Sequence, residues 1–226
     1  ILVGADYSQI ELRLLAHFSG CEALIRAYNE QADIHTETAA TVFGVPRGEV
    51  TPQMRRSAKA VNFGIIYGIS EFGLAKNLKI PAAKAREYIR TYFEKYPEVK
   101  AYMDKNVEFA KEHGYVSTLL GRKRYIRELK SSNYNQRMFG ERAAMNMPLQ
   151  GSSADIIKVA MVNVHNRLKE GGYKSRLILQ VHDELIIDCL KSERAEVEKL
   201  LVREMEGAAS LRVPLTVELE AGETWY

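Results

Sequence analysis

Hydrophobic residues recur along most of this chain at spacings of three and four, which is the period of an amphipathic helix. Capping residues, glycines and prolines then mark where each helix should begin and end. The pattern predicts helices at about 8–20, 22–29, 34–43, 51–67, 81–95, 97–113, 133–147, 152–171 and 192–208. We expect the seventh to stop before Pro148, because a proline removes a hydrogen bond from a helix interior.

Short apolar runs rich in β-branched residues predict a smaller number of strands. They lie at 1–5, 177–181, 185–188 and 213–219, and a small hairpin with a basic tip is expected at 115–118 and 124–126. Asp6 follows the first strand, and His182-Asp183-Glu184 stands between the second and third. Acidic side chains are therefore expected at the rim of a sheet.

The helix predicted at 51–67 carries a distinctive stripe of side chains. Four residues spaced by four fall within about a third of its circumference; they are Arg55, Lys59, Phe63 and Tyr67. This order of two cations and two rings matches a nucleoside triphosphate, which has phosphates at one end and sugar and base at the other. The alternative is a basic helix start with two core aromatics, and the register of all four favours the ligand interpretation.

Two carboxylates are candidates for a metal site. If the strands that end at Asp6 and Asp183 are neighbours, their oxygens converge at one sheet edge. Mg²⁺ prefers such ligands together with substrate phosphates, and two ions about 4 Å apart can stabilise an in-line phosphoryl displacement. The alternative is an ordinary polar hairpin tip in solvent.

His35 lies in the first turn of the helix predicted at 34–43, just after its expected N-cap, Asp33. A histidine there could donate a hydrogen bond to phosphate, since the helix dipole favours anions at this end. A histidine in such a position is more often a surface or packing residue.

Composition and charge add a few constraints. The chain has 226 residues, 46% of them hydrophobic, with a net charge of +3 and a pI of about 8.7, which permits a nucleic-acid partner without requiring one. The segment 115–142 is more basic, with seven Lys or Arg and two Glu. Two cysteines without metal spacing suggest a reducing compartment, and no run has transmembrane length, so we expect the cytoplasm and no membrane partner.

Three stretches resemble the sequence motifs of family A DNA polymerases, the DNA polymerase I type. They are DYSQIELR at residues 6–13, the pattern Arg55-x3-Lys59-x3-Phe63-Gly64-x2-Tyr67-Gly68, and His182-Asp183-Glu184. The order and spacing also fit, and the likeness runs through the whole chain.

The resemblance implies template-directed DNA synthesis by nucleotidyl transfer from a dNTP to a primer 3′-OH, with two Mg²⁺ ions (Mn²⁺ is possible). It implies metal ligands at Asp6, Asp183 and the backbone carbonyl of Tyr7, with Lys59 also catalytic. It implies dNTP contacts from Arg55, Lys59, Phe63, Tyr67, His35 and Glu11, with Glu11 crowding the sugar 2′ position. Arg142, Asn146, Gln150 and His182 are the implied primer–template contacts, whereas Glu184 neighbours the metals without being a firm ligand.

The resemblance also implies an α+β fold: an antiparallel palm sheet with flanking helices (1–20 and 142–226) and an inserted all-helical fingers subdomain (21–141). We expect the chain to be a C-terminal fragment whose thumb and upstream palm are missing partners, and the bacterial nucleoid to be its location. Two other functions stay open: a fragment that binds dNTP or DNA without catalysis, and a different metal-dependent phosphodiesterase. The triphosphate-shaped stripe argues against the phosphodiesterase.

Overall fold

The structure is a computed structural model that describes residues 1–225. Its helices are α1 (Ile10–Ser19), α2 (Glu22–Asn29), α3 (Ile34–Phe43), α4 (Pro52–Ile66), α5 (Glu71–Leu78), α6 (Ala82–Lys95), α7 (Pro97–His113), α8 (Tyr134–Glu170) and α9 (Arg194–Glu206). Its strands are β1 (Leu2–Tyr7), β2 (Tyr115–Ser117), β3 (Lys123–Tyr125), β4 (Arg176–Val181), β5 (Glu184–Asp188) and β6 (Val217–Gly222). The predicted α+β class is confirmed.

The chain divides into two compact units. Unit 1 comprises residues 1–10 and 151–226, and unit 2 comprises residues 11–150. Long helix α8 contributes residues to both. None of the helices in residues 1–225 is long and apolar enough to cross a membrane.

Unit 1 is built on a four-stranded antiparallel sheet in the order β4-β5-β1-β6. Val3 and Ala5 of β1 and Ile187 of β5 are buried, as are Val197 and Leu201 of α9. The sequences of the central strands β1 and β5 are apolar because their side chains are buried in this core, away from water. Asp6 is the exposed residue of β1, between buried Ala5 and buried Tyr7.

The last strand differs from the prediction, beginning at Val217 and ending at Gly222 rather than spanning 213–219. Val213 and Leu215 are buried, so their apolar character comes from core packing. Pro214 between them has no N–H to give to a ladder, which excludes an ordinary interior strand position there.

Unit 2 consists of helices with a small β2–β3 hairpin. Thr51 and Asp33 cap α4 and α3 as predicted, accepting hydrogen bonds from Met54 N and His35 N. Helix α5 was missed by the sequence analysis. It is short, but Ser70 accepts from Gly73 N at its start and Leu74 is fully buried, so a cap and core packing stabilise it.

The prediction of two helices separated near Pro148 was wrong, because α8 runs through that proline without a break. A proline inside a helix costs about 3 kcal/mol. Ala144, Met147 and Leu149 are buried on either side of it, and Ile156 and Ile157 follow in the same helix. Burying such side chains contributes roughly 1.5–3 kcal/mol each for the large ones, which exceeds that cost.

Candidate functional site

In unit 1 the ends of two strands bring Asp6 and Asp183 together. Asp6, near the end of β1, is paired across the ladder with Glu184 of β5. The N–H of Tyr7 donates to the backbone oxygen of Asp183 at 3.2 Å, which ties the hairpin tip to the end of β1. The buried Tyr7 hydroxyl donates to Met205 O at 2.5 Å, so a second hydrogen bond anchors the end of β1 to the core.

The electrostatics of Asp6 reflect its neighbours. Partial burial, followed by the negative charges of Asp183 and Glu184 and a hydrogen bond with the Asp183 side chain, raises the pKa of Asp6 from 3.8 to about 6. Glu218, opposite Asp6 on β6, adds to the effect. Like charges held this close are stabilised by a cation between them, so hard oxygen ligands and a divalent ion fit this edge.

The site is open rather than a closed protein cage. Within residues 1–225 no three His, Cys, Asp or Glu side chains are grouped as ligands for one ion. Mg²⁺ is commonly bound through one or two carboxylates with the remaining positions left to water and substrate phosphate. Asp6 and Asp183 are the two carboxylates predicted for that role.

The hairpin that carries Asp183 has a tight turn. Its two residues, His182 and Asp183, join β4 directly to β5. His182 has φ = +51°, a conformation that costs energy for a residue with a side chain. Gln180 Nε2 donates to the His182 carbonyl at 2.7 Å and so helps to hold the turn, while the imidazole of His182 is exposed.

Glu184 is engaged elsewhere. Its Oε2 accepts from Trp225 Nε1 at 3.2 Å. Its Oε1 lies over Gly4, where an added Cβ would be 2.7 Å away. Glycine at position 4 therefore leaves room for this carboxylate, and Glu184 stays a predicted neighbour of the metals rather than a ligand.

In unit 2 the cationic end of α4 is partly paired within the protein. Arg55 Nε lies 2.5 Å from Asp33 Oδ2, and Arg55 Nη2 lies 3.3 Å from Oδ1. Partial burial alone would raise the pKa of Asp33, but hydrogen bonds from Arg55, Thr36 and the backbone of His35 lower it to about 2. Lys59, one turn further along, is exposed.

His35 is buried rather than on the surface, and its hydrogen bond with Asn62, which is itself bonded to Thr38, determines the tautomer of the ring. Asn62 Nδ2 lies 3.0 Å from His35 Nδ1, and Asn62 Oδ1 accepts from the Thr38 hydroxyl at 3.0 Å. The amide therefore donates to Nδ1, which places the ring proton on Nε2. Burial lowers the pKa of His35 to about 4, so the ring is neutral at physiological pH.

The aromatic end of α4 borders a cavity of about 450 Å³. The cavity is lined in part by Phe63, Tyr67, Gly68 and Arg142. The Tyr67 hydroxyl donates to Glu11 Oε2 at 2.8 Å, and the rings of Phe63 and His35 have centroids 5.9 Å apart. Two predicted dNTP-site residues, Glu11 and Tyr67, are thus in direct contact.

The predicted DNA contacts of unit 2 share one face of α8, since Arg142, Asn146 and Gln150 are spaced by four. The Arg142 side chain packs against Gly68, whose φ is +63° and where a Cβ would lie 3.0 Å from Arg142 Cγ. Asn146 Nδ2 is buried and has no hydrogen-bond partner within residues 1–225, whereas Gln150 is exposed.

Sequence reasoning missed the residues that hold these groups. It treated Asp33 only as a cap, and it did not single out Asn62, Thr38 or Gln180. Asn62 could have been noticed in the sequence, because it lies among the apolar residues Val61 and Ile65 of a helix. An amide buried there needs hydrogen-bond partners. The Glu184–Trp225 contact spans 41 residues and had no local signal.

Comparison with known proteins gives the family. The model for DNA polymerase family A matches residues 1–226. The chain is 55% identical to DNA polymerase I of Caldicellulosiruptor bescii and 54% identical to that of Bacillus subtilis, in both cases over all of the chain but only 27% and 26% of the relative. It thus spans about a quarter of the length of these relatives.

A solved structure is similar throughout the chain. It is the POL domain of Pol1 from M. smegmatis in complex with DNA primer-template and dNTP, with a TM-score of 0.95 and 47% sequence identity. The match covers 99% of this chain and 40% of that one. The resemblance seen in the three motifs is confirmed: the chain belongs to DNA polymerase family A.

Proposed function

We propose that this chain supplies the metal-binding edge and the dNTP-binding helix of a DNA-directed DNA polymerase. The observation that carries the proposal is the cluster of Asp6 and Asp183 at one sheet edge, in a chain that matches the family over its whole length. In this proposal unit 1 corresponds to the palm, predicted at 1–20 and 142–226, and most of unit 2 to the fingers, predicted at 21–141.

Asp6, Asp183 and the backbone carbonyl of Tyr7 would hold two Mg²⁺ ions, or Mn²⁺. When bound, these ions supply charge stabilisation for the attacking and leaving oxygens of an in-line transfer of the nucleotidyl group. Asp6 contributes fully once it is ionised, so its raised pKa of about 6 makes metal binding by this edge weaker in acid.

Unit 2 would bind the incoming dNTP. Lys59, which is exposed, would contact phosphate oxygens and stabilise charge that develops on them, and Arg55 would share its guanidinium between Asp33 and phosphate. His35 would act as a neutral donor through Nε2 rather than as a cation. Phe63 would pack on the sugar and base, and Tyr67 would lie near the templating base.

Primer–template DNA would be contacted by His182, Arg142, Asn146 and Gln150. The buried, unpartnered Nδ2 of Asn146 supports this role, because a donor left unsatisfied costs roughly 1–3 kcal/mol unless a ligand accepts from it. The related polymerase domain that holds DNA and dNTP supports the substrate class.

The 226 residues tested alone are proposed to bind dNTP and DNA weakly and to extend a primer little or not at all. The chain corresponds to about a quarter of its relatives, and misplacing a primer 3′-oxygen by about 1 Å can cost roughly 100-fold. The remaining segments of such relatives are the proposed partners, and the bacterial cytoplasm is the proposed location.

The test is primer extension with Mg²⁺ by the purified chain and by a chimaera in which it replaces the matching part of a full-length relative. We expect template-directed extension by the chimaera, loss of it in Asp183→Asn, and little or none by the chain alone. A chimaera that cleaves DNA but does not extend primers would support the phosphodiesterase and reject the proposal. Processive synthesis by the chain alone would show that these residues suffice to position a primer.

A further inference from the structure

The β2–β3 hairpin of unit 2 has two unlike faces. Val116 of β2 is buried, together with Ile126 just after β3, in a core cluster that includes Val107 and Ala144. Tyr115 lies directly opposite Tyr125 in the antiparallel register, so their side chains share the other face. The hairpin is therefore anchored by one face and presents aromatic rings on the other.

These rings continue onto the end of α7 and form an aromatic platform of Phe109, His113, Tyr115 and Tyr125. Phe109 and His113 are stacked, with centroids 4.1 Å apart and planes at 12°. Phe109 meets Tyr115 edge to face at 5.5 Å, and the Tyr115 and Tyr125 centroids are 5.8 Å apart. Tyr125 is 67% exposed and Phe109 37%.

One cation lies against the platform. Lys123 Nζ is 4.3 Å from the centroid of Tyr115, whereas the exposed Arg124 lies opposite Val116 in the ladder and so leaves the hairpin on its anchored face. One acid is close, with Glu112 Oε2 3.8 Å from His113 Nδ1. The hairpin itself, residues 115–126, has three Lys or Arg and no Asp or Glu, and contiguous exposed rings of this kind mark an interaction site.

We propose that the aromatic platform binds single-stranded nucleic acid, with bases stacking on the rings and Lys123 contacting a phosphate. Every base offers a π-face when unpaired, whereas a duplex keeps its base faces stacked inside. The cations favour a polyanion over an apolar protein surface. The platform is distinct from the groups assigned to nucleotidyl transfer, and the proposal does not rest on that reaction.

The test measures fluorescence anisotropy of labelled oligothymidylate of about 12 nucleotides, within the usual site sizes for single strands. The protein is the 226-residue chain, compared with Tyr125→Leu and Tyr125→Phe. We expect Tyr125→Leu to weaken binding about tenfold and Tyr125→Phe to bind within about twofold of the original, because only the leucine removes the stacking face. Circular dichroism and melting should be unchanged, since Tyr125 is largely exposed.

Two further measurements distinguish the contribution of the bases to binding from that of the phosphates. An abasic oligomer of equal length should bind about tenfold more weakly and should not distinguish Tyr125→Leu from the original. Lys123→Gln should reduce the slope of log affinity against log salt by about 0.7, more than Lys95→Gln, which removes an exposed lysine of α6 that is not part of the platform.

Equal binding of Tyr125→Leu and the original would overturn the proposal, as would equal binding of the abasic oligomer. If sedimentation shows a dimer that Tyr125→Leu dissociates while oligonucleotide binding stays unchanged, the platform is an interface between copies of this chain.

Discussion

The candidate sites of units 1 and 2 differ in whether their charged groups are paired with opposite charges. The acidic edge of unit 1 comprises Asp6, Asp183, Glu184 and Glu218, and it holds like charges together, with the consequence that the pKa of Asp6 rises. The α4 face of unit 2 comprises Arg55, Lys59, Phe63 and Tyr67. There Arg55 is paired with Asp33, and Tyr67 donates to Glu11.

The difference indicates what each region gains from a ligand. In the proposed function a divalent cation would relieve the repulsion at the acidic edge, so function and stability would oppose each other there. On the α4 face the proposed dNTP would compete with hydrogen bonds already made, so the net gain in binding free energy would be the difference between the old and the new partners. Substitutions should therefore have distinct effects on activity and folding in the two units.

The largest effect is expected at the acidic edge. In the chimaera, Asp6→Asn or Asp183→Asn should reduce nucleotide incorporation about 1,000-fold or more, since metal-based charge stabilisation is lost. Single-turnover incorporation measures this. Asp188→Asn, which changes an exposed aspartate at the other end of β5, is the matched control and should be nearly silent.

The same Asp6→Asn variant should melt at the same or a higher temperature than the original chain at pH 8. The folded pKa of Asp6 is about 6, above its ordinary 3.8, so ionisation makes the fold less stable as pH rises through this window. The advantage of asparagine should be present above about pH 6 and absent below about pH 4. A lower melting temperature at pH 8 would mean that the acidic edge is not a site of repulsion.

A smaller loss is expected from Lys59→Ala on the α4 face. Removing a charge-assisted hydrogen bond of about 1.5–3 kcal/mol should weaken dNTP binding by roughly 10- to 100-fold. The melting temperature should not change, because Lys59 is exposed. Lys95→Ala on α6, also exposed, controls for loss of one positive charge, and equal affinities for the two variants would remove Lys59 from the site.

Sugar discrimination offers a sharper test within unit 2. Glu11→Ala should raise ribonucleotide use by the chimaera roughly tenfold, because space opens at the 2′ position. Tyr67→Phe keeps the ring and removes the hydrogen bond to Glu11. If that bond holds Glu11 in place, Tyr67→Phe should reproduce part of the effect.

Phe63→Tyr adds a hydroxyl beside the proposed sugar position and, from the family resemblance, should favour 3′-deoxy terminators. Ratios of incorporation for matched ribo-, deoxy- and dideoxynucleotides measure all three variants. Unchanged ratios throughout would exclude these side chains from the sugar pocket.

Much of this arrangement was predictable because it depends on local sequence. Caps at Asp33 and Thr51, the helical period of the α4 face and the strand ends at Asp6 and Asp183 are each encoded within about ten residues. The family motifs coincide with these local features.

What the sequence did not reveal depends on tertiary contacts. Pro148 is a helix breaker by local rules, and only packing on both sides lets α8 continue. The Arg55–Asp33 pair and the neutral state of His35 depend on α3 packing against α4, across 22 and 27 residues. The position of Arg55 in the α4 sequence pattern therefore does not predict whether its charge is already paired within the protein.

The smallest effect, and the most direct test of the comparison, is expected from Asp33→Asn. Asparagine is as good an N-cap as aspartate, so α3 should keep its cap while Arg55 loses its ion pair. If the pair competes with a dNTP, affinity should rise about two- to fivefold, since exposed ion pairs contribute roughly 0.2–1 kcal/mol.

Isothermal titration measures the affinity, and Asp104→Asn, which breaks the exposed pair with Lys100 on α7, is the control. The pKa of Asp33 is about 2, below its ordinary 3.8, so the pair stabilises the fold above about pH 4 and is lost as pH falls toward 2. The stability difference between Asp33→Asn and the original should vanish over that interval. Weaker dNTP binding by Asp33→Asn would instead show that Asp33 positions Arg55 for the phosphates, and the α4 face would then be preorganised by its pairs rather than opposed by them.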